Sequence, residues 1–255
     1  MGKGTEEVWE KIVSDLNLEN HNFDNRPFEV PHSRIKEIVS PLTEISNESK
    51  EIRLLGSQVT REKRPKYFKE NNLFLLPSSN RSWYFLQGDG YFDIPELSNI
   101  ISVKQSPNKV TFDSLSGDSE ARYINEAFAK GIISDFCKDT ELKMTLMGRR
   151  YASLNFNAYN QKISCDGVQI EIDAGYESKQ QIVFLEAKAS VPTNETIRQL
   201  YFPFKFLKGL SKKKIRCLFL VVYQKENFVI LYEYGFKYPN IYESIYKIKE
   251  EKYLL

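Results

Sequence analysis

The order of amphipathic patterns along this chain predicts an α/β fold, a mixed central sheet flanked by helices, preceded by an N-terminal region that is part helical and part β-rich. Two observations carry that expectation. From Ser116 onward a helical stripe, three β-like runs, a second helical stripe and two more β-like runs succeed one another. Between Arg53 and Val110, short β-like runs instead alternate with turn signals such as Pro77-Ser78-Ser79-Asn80 and Gly88-Asp89-Gly90. A chain of 255 residues, 41% of them hydrophobic, can bury one large core or a core with an appended subdomain. We expect residues 1–113 to form the N-terminal region and residues 114–255 the core.

In the first 50 residues, Val8 and Trp9 with Ile12, Val13 and Leu16, and Ile35 with Ile38 and Val39, have helical spacing. Residues 73–76 and 83–86 read as strands. A helix should start at Asp118 or Ser119, whose short polar side chains cap free amides, with Tyr123, Ile124, Ala127, Phe128, Ile132 and Phe136 on one stripe. Strands follow at 151–156, 168–173 and 181–187, then a helix over 194–207, then strands at 214–223 and 227–234. The second helix carries Ile197, Leu200, Tyr201, Phe204 and the stem of Lys208 on one side. Pro203 should kink or shorten it by removing an amide donor.

With 36 Lys and Arg against 34 Asp and Glu, the formal charge of +2 gives mild attraction to polyanions, so a nucleic-acid surface requires local clustering. Cys137, Cys165 and Cys217 are too far apart for a CxxC zinc knuckle and odd in number for a disulfide framework, so they read as small apolar core residues of a protein from a reducing interior. No apolar run approaches the roughly 20 residues that span a bilayer, and the first 18 residues are too charged for a signal peptide. We expect a cytoplasmic protein with no membrane partner. His21 and His32 are too isolated for a His-metal site or a nucleophilic triad.

The chemistry concentrates in Val168-Gln169-Ile170-Glu171-Ile172-Asp173-Ala174-Gly175 and Ile182-Val183-Phe184-Leu185-Glu186-Ala187-Lys188. Period-two alternation puts Gln169, Glu171 and Asp173 on one face of the first strand, and Glu186 with Lys188 on one face of the second. If the two strands pair as a hairpin, Asp173, Glu186 and Lys188 converge. Phosphodiester hydrolysis needs hard oxygen ligands for Mg²⁺ and stabilisation of transition-state charge. Asp173, Glu186 and the carbonyl of Ala187 would supply the ligands, and Lys188 the positive charge. The alternative is an exposed strand-end ion pair, which contributes little. Glu171 reads more simply as a solvated strand residue.

Asp173, twelve intervening residues, then Glu186-Ala187-Lys188 resembles the signature of the PD-(D/E)XK nuclease superfamily, with Ile172 where that motif's proline would stand. The resemblance covers residues 118–234, about half the chain, and implies an αβββαβ core. More narrowly, the stretch from Gly167 to Glu177, the Glu186-Ala187-Lys188 triplet, the run Ile197-Arg198-Gln199-Leu200-Tyr201-Phe202-Pro203-Phe204, and the segment from Arg64 to Pro77 resemble type II restriction endonucleases. The resemblance implies Mg²⁺-dependent, sequence-specific hydrolysis of double-stranded DNA by a homodimer, the two-fold symmetry matching a palindromic site. It further implies an acidic residue on the first core helix, for which Glu120 suits better than Glu126, and a glutamine on the second, Gln199. Pro203 stands where the RecB-like variant has tyrosine.

For phosphate or guanine contacts the candidates are Arg61, Lys63, Arg64 and Lys66, interleaved with Tyr67 and Phe68, and Arg149-Arg150 ahead of a core strand. Solvated loops are the competing reading, and Lys212-Lys213-Lys214 reads as a solvated turn. A structure-specific repair or recombination nuclease, or a DNA-binding module without catalysis, are the alternative functions.

Overall fold

Twelve strands and seven α-helices form among the described residues (2–96, 102–112, 114, 115 and 117–255) of a computed structural model. The N-terminal part contains α1 (Lys3–Asp15), β1 (Phe28–Pro31), α2 (His32–Val39), α3 (Ile52–Leu55), α4 (Lys66–Glu70), β2 (Leu73–Ser79) and β3 (Ser82–Gln87). Val8, Trp9, Ile12 and Val13 share the buried stripe of α1 and pack with Ile35 and Ile38 of α2, Phe68 of α4, and Trp83 and Phe85 of β3. Two short strands follow, β4 (Tyr91–Asp93) and β5 (Val103–Lys104). The boundary expected after residue 113 falls on Asp113, which lies outside the described residues.

The core then runs α5 (Glu120–Ala129), α6 (Ile132–Cys137), β6 (Lys143–Ala158), β7 (Gln161–Glu177), β8 (Gln181–Lys188), β9 (Asn194–Thr196), α7 (Arg198–Leu210), β10 (Lys214–Tyr223), β11 (Phe228–Phe236) and β12 (Ile245–Leu254). The fold is mixed α/β. Helix, three antiparallel strands, helix and a strand parallel to the third succeed one another in the expected order. Ten strands make one sheet in the order β1-β3-β2-β7-β8-β10-β11-β12-β5, with β6 also paired to β7, and β4 with β9 form a separate pair.

Packing divides β8 between two layers. Val183, Leu185 and Ala187 join Leu218, Leu220 and Leu231 under Tyr123, Ile124 and Phe136 of α5 and α6. Ile182 and Phe184 join Phe219 and Val221 under Leu200, Tyr201 and Phe204 of α7. Each such buried aliphatic or aromatic side chain contributes about 1.5–3 kcal/mol. The same alternation directs Glu186 and Lys188 to the α7 side. Arg216 of β10 lies buried against Glu233 of β11 and donates to the Cys137 carbonyl at 2.9 Å, tying α6 to the sheet. The three cysteines are free and buried.

Three sequence expectations need correcting. The helix expected from Asp118 through Phe136 starts as foreseen, Ser119 accepting the Arg122 amide at 3.2 Å, but breaks at Gly131, whose φ of +76° only glycine adopts without strain. The strands expected at 151–156 and 168–173 belong to one long β6–β7 hairpin, turned by Tyr159 and Asn160 at φ +46° and +66°, the pair of left-handed residues that a tight two-residue turn demands. Residues 194–196, expected to open the second helix, form β9 instead. The helix begins at Arg198 and runs past Pro203 to Leu210, with the Gln199 carbonyl deprived of its helical donor.

Candidate active site

β7 and β8 pair antiparallel from Glu177 and Ile182 to Ala174 and Leu185, where the ladder ends. One step beyond lie Asp173 and Glu186. In place of the lost ladder bond, the Ala187 amide donates to Asp173 Oδ2 at 3.0 Å, so the parting of the strands fixes this carboxylate. Lys188 Nζ reaches Glu186 Oε1 at 2.6 Å, and Gln199 Nε2 from α7 donates to the same oxygen at 2.9 Å. Glu120, in the first turn of α5, accepts the Ala189 amide at 3.4 Å, just past the end of β8. Glu126, the less favoured acid on α5, is buried between Arg122 at 3.0 Å and Lys130 at 2.9 Å. Asp173, Glu186, Lys188, Glu120 and Gln199 thus gather around the end of β8.

The sequence reading missed Glu195. It is 1% exposed on β9, accepts the Thr196 amide at 3.0 Å and stands 3.6 Å from Lys188 Nζ. Lys188 is therefore gripped from two sides. Burial alone would lower its pKa, but Glu186, Glu195 and Glu120 overcome that and raise it, so the ammonium stays charged. Burial, with Asp173 and Glu195 adding repulsion against the pull of Lys188, pushes the Glu186 carboxyl up to about 8. Glu195 is raised as well, again chiefly by burial.

Asp173, Glu186, Glu195 and Glu120, set against the Lys188 ammonium and the Arg198 guanidinium that pulls on Glu195, leave an excess of negative charge around the buried Glu186. That excess and the hard oxygen donors fit a divalent cation. Among the described residues no group of three or more His, Cys, Asp or Glu side chains is arranged to hold a metal. A cation here would rest on Asp173, Glu186 and the main-chain oxygen of Ala187.

Beside this cluster opens a cleft of about 790 Å³. One wall carries Arg149, Gln169, Glu171, Arg198 and Gln199, the other His32, Lys36, Lys50 and Arg53. Gln199 belongs to both the cleft and the carboxylate cluster. Of the six basic residues expected to meet DNA, only Arg149 lines the cleft. Arg61 instead clamps Asp89 at 2.6 Å and Asp93, and Arg64, 7% exposed, donates to the Leu73 carbonyl at 3.0 Å and lies over the Tyr91 ring. These arginines order β4 and the loop ahead of it. Lys63 and Lys66 are exposed away from the cleft, Lys66 3.8 Å from Glu70, and Arg150 is exposed on β6. Lys213 pairs with Glu177 and donates to the Ser178 carbonyl at 2.8 Å.

A family described as "Domain of unknown function (DUF6997)" matches residues 86–254, two thirds of the 255. The chain belongs to the DUF6997 family. A second, "Domain of unknown function (DUF6996)", matches residues 6–85. No curated protein and no solved structure matches the chain. The division at 85/86 precedes the expected one at 113, and the carboxylate cluster with one wall of the cleft falls in the DUF6997 part, the opposite wall in the DUF6996 part. Among the described residues no helix is long and apolar enough to cross a membrane.

Proposed function

We propose that this chain is a divalent-cation-dependent nuclease that hydrolyses phosphodiester bonds of double-stranded DNA at defined sequences, as type II restriction endonucleases do. The observation carrying the reading is the placement of Asp173 and Glu186 on neighbouring strands where their ladder ends, with the Lys188 ammonium against Glu186. An exposed ion pair, the bland alternative, does not fit a carboxylate that is 4% exposed.

Mg²⁺ held by Asp173, Glu186 and the Ala187 carbonyl would supply a Lewis acid for the scissile phosphate. The rest is work for the chain's own groups. The Ala187 amide orients Asp173, and Gln199 orients Glu186. Lys188 places a fixed positive charge beside the phosphate, where it offsets charge developing in the transition state. A palindromic target would call for two copies of the chain related by a two-fold axis.

Plasmid digestion tests the reading. With Mg²⁺ the wild-type protein should give discrete fragments, and Asp173→Ala and Glu186→Ala should give none while keeping their fold by circular dichroism. Ca²⁺, whose looser coordination positions water poorly, should support DNA binding with little cutting. Cutting by the alanine variants at the wild-type rate would overturn it.

A further inference from the structure

The long β6–β7 hairpin is odd as structure. From Lys143 to Ser153, β6 is exposed on both faces along most of its length, with Met147 at 52% and Tyr151 at 57% exposure, and this stretch holds three cations and no carboxylate. An exposed edge strand bearing apolar side chains is a liability unless something covers it. On β7, one edge meets β2 at Asp166 and β8 from Ala174 onward, and among the described residues no strand covers residues 167–173 between them. That open stretch spans about 23 Å at roughly 3.3 Å per residue.

Resting on the nuclease reading, we propose that this two-stranded ribbon enters the major groove of the duplex and reads its sequence, with Gln169, Glu171 and Arg149 facing the base edges. The major groove, about 12 Å wide, admits a two-stranded ribbon. The reading face is continuous with the chemistry. Gln169 and Glu171 share one face of β7, Asp173 follows along the same strand where the pairing with β6 shifts register, and Arg149 and Tyr151 stand directly across from Glu171 and Gln169. Arg149 Nε lies 3.3 Å from Glu171 Oε1, and the Tyr151 hydroxyl lies 3.4 Å from Gln169 Oε1, so the four side chains form one ordered row.

The side-chain types match the code of that groove. Glutamine pairs with the adenine edge, arginine with that of guanine, and a carboxylate accepts from the cytosine amino group. Position follows from arithmetic. Gln169 precedes Asp173 by four residues, about 13 Å of strand, which corresponds to about four base-pair steps of 3.4 Å. The opposite wall, with Lys36 and Arg53, would meet phosphates, which hold the duplex without choosing a sequence.

The test is cleavage of a randomised duplex library with Mg²⁺, the cut ends being sequenced, for wild type, Gln169→Ala, Arg149→Ala, Arg53→Ala and Asp173→Ala, each checked for an unchanged melting temperature and for DNA binding in Ca²⁺. Wild type should prefer particular bases within about four positions of the cut. Gln169→Ala and Arg149→Ala should each lose about 10-fold or more of the discrimination at one position, while Arg53→Ala should weaken all sequences alike. If both ribbon variants keep the wild-type preferences, the ribbon proposal falls and the nuclease reading stands; if wild type cuts without preference, the ribbon proposal and the sequence specificity fall together and only the cleavage chemistry stands. If wild type does not cut at all, or Asp173→Ala cuts as wild type does, the nuclease reading falls and the ribbon proposal with it.

Discussion

Lys188 is held by two carboxylates, one on its own strand and one on β9, and this double grip fixes where its charge stands. Replacing it by alanine should slow the cleavage step by about 10²-fold or more, roughly 3 kcal/mol of transition-state stabilisation. Arginine should rescue poorly, since a planar guanidinium does not reproduce a compact ammonium. Single-turnover rates at saturating Mg²⁺ read this directly, and an alanine variant within a few-fold of wild type would remove Lys188 from the mechanism. Glu186 makes a separate prediction about pH. Its carboxyl titrates near 8 when folded, so the folded chain holds this proton more tightly than the unfolded chain does. The metal-free protein should therefore lose stability as pH rises from the ordinary glutamate value toward 8, with a contribution of up to about 1.4 kcal/mol per pH unit. Denaturant titrations of wild type and Glu186→Gln across that range isolate the effect. The variant should lack this part of the slope, and equal slopes would contradict the assignment.

Elements explain which residues were legible beforehand. The alternation at 168–173 reads correctly because one face of that strand is buried and the other is not. Asp173 and Glu186 could be paired from sequence because an antiparallel hairpin brings strand ends together. Glu195 gave no such signal. It reaches Lys188 only because β9 docks on β4, a pairing across about a hundred residues. The intramolecular partners of Arg61 and Arg64 gave no signal for the same reason, since Asp89, Asp93 and Tyr91 come from β4 and the loop ahead of it. The break at Gly131 was missed because the apolar stripe continues across it. Arg61→Ala should accordingly act on folding, costing up to about 1 kcal/mol through the lost pairs with the part-exposed Asp89 and the exposed Asp93, with DNA affinity per folded molecule little changed. Denaturant unfolding beside a binding titration separates the two. A large affinity loss without a stability loss would restore Arg61 to the DNA surface.

Across the whole molecule, the cleft basic residues Lys36, Lys50, Arg53 and Arg198 could not be grouped from sequence, because three separate segments bring them together. What joins those segments is a sheet that narrows to one rung, Ser79 against Asp166, between the N-terminal strands and β7. The remaining connections are side-chain packing, Phe74 and Leu76 against the aromatic cluster around Phe156 and Tyr242, and scattered hydrogen bonds such as the Thr196 amide to the Val59 carbonyl at 3.0 Å and the Arg61 amide to Asn194 Oδ1 at 2.7 Å. Hydrogen exchange should report the joint: amides of β8, β10 and β11 should open only with global unfolding, those of β1 to β3 at a lower free energy. A common opening energy for both sets would argue against it. A ladder resists sliding because each residue is bonded in register, whereas packed side chains shift by fractions of an ångström at small cost. The walls should therefore hold their spacing less rigidly than a full ladder would, and the narrow joint, rather than the site itself, should set the width of the gap between them.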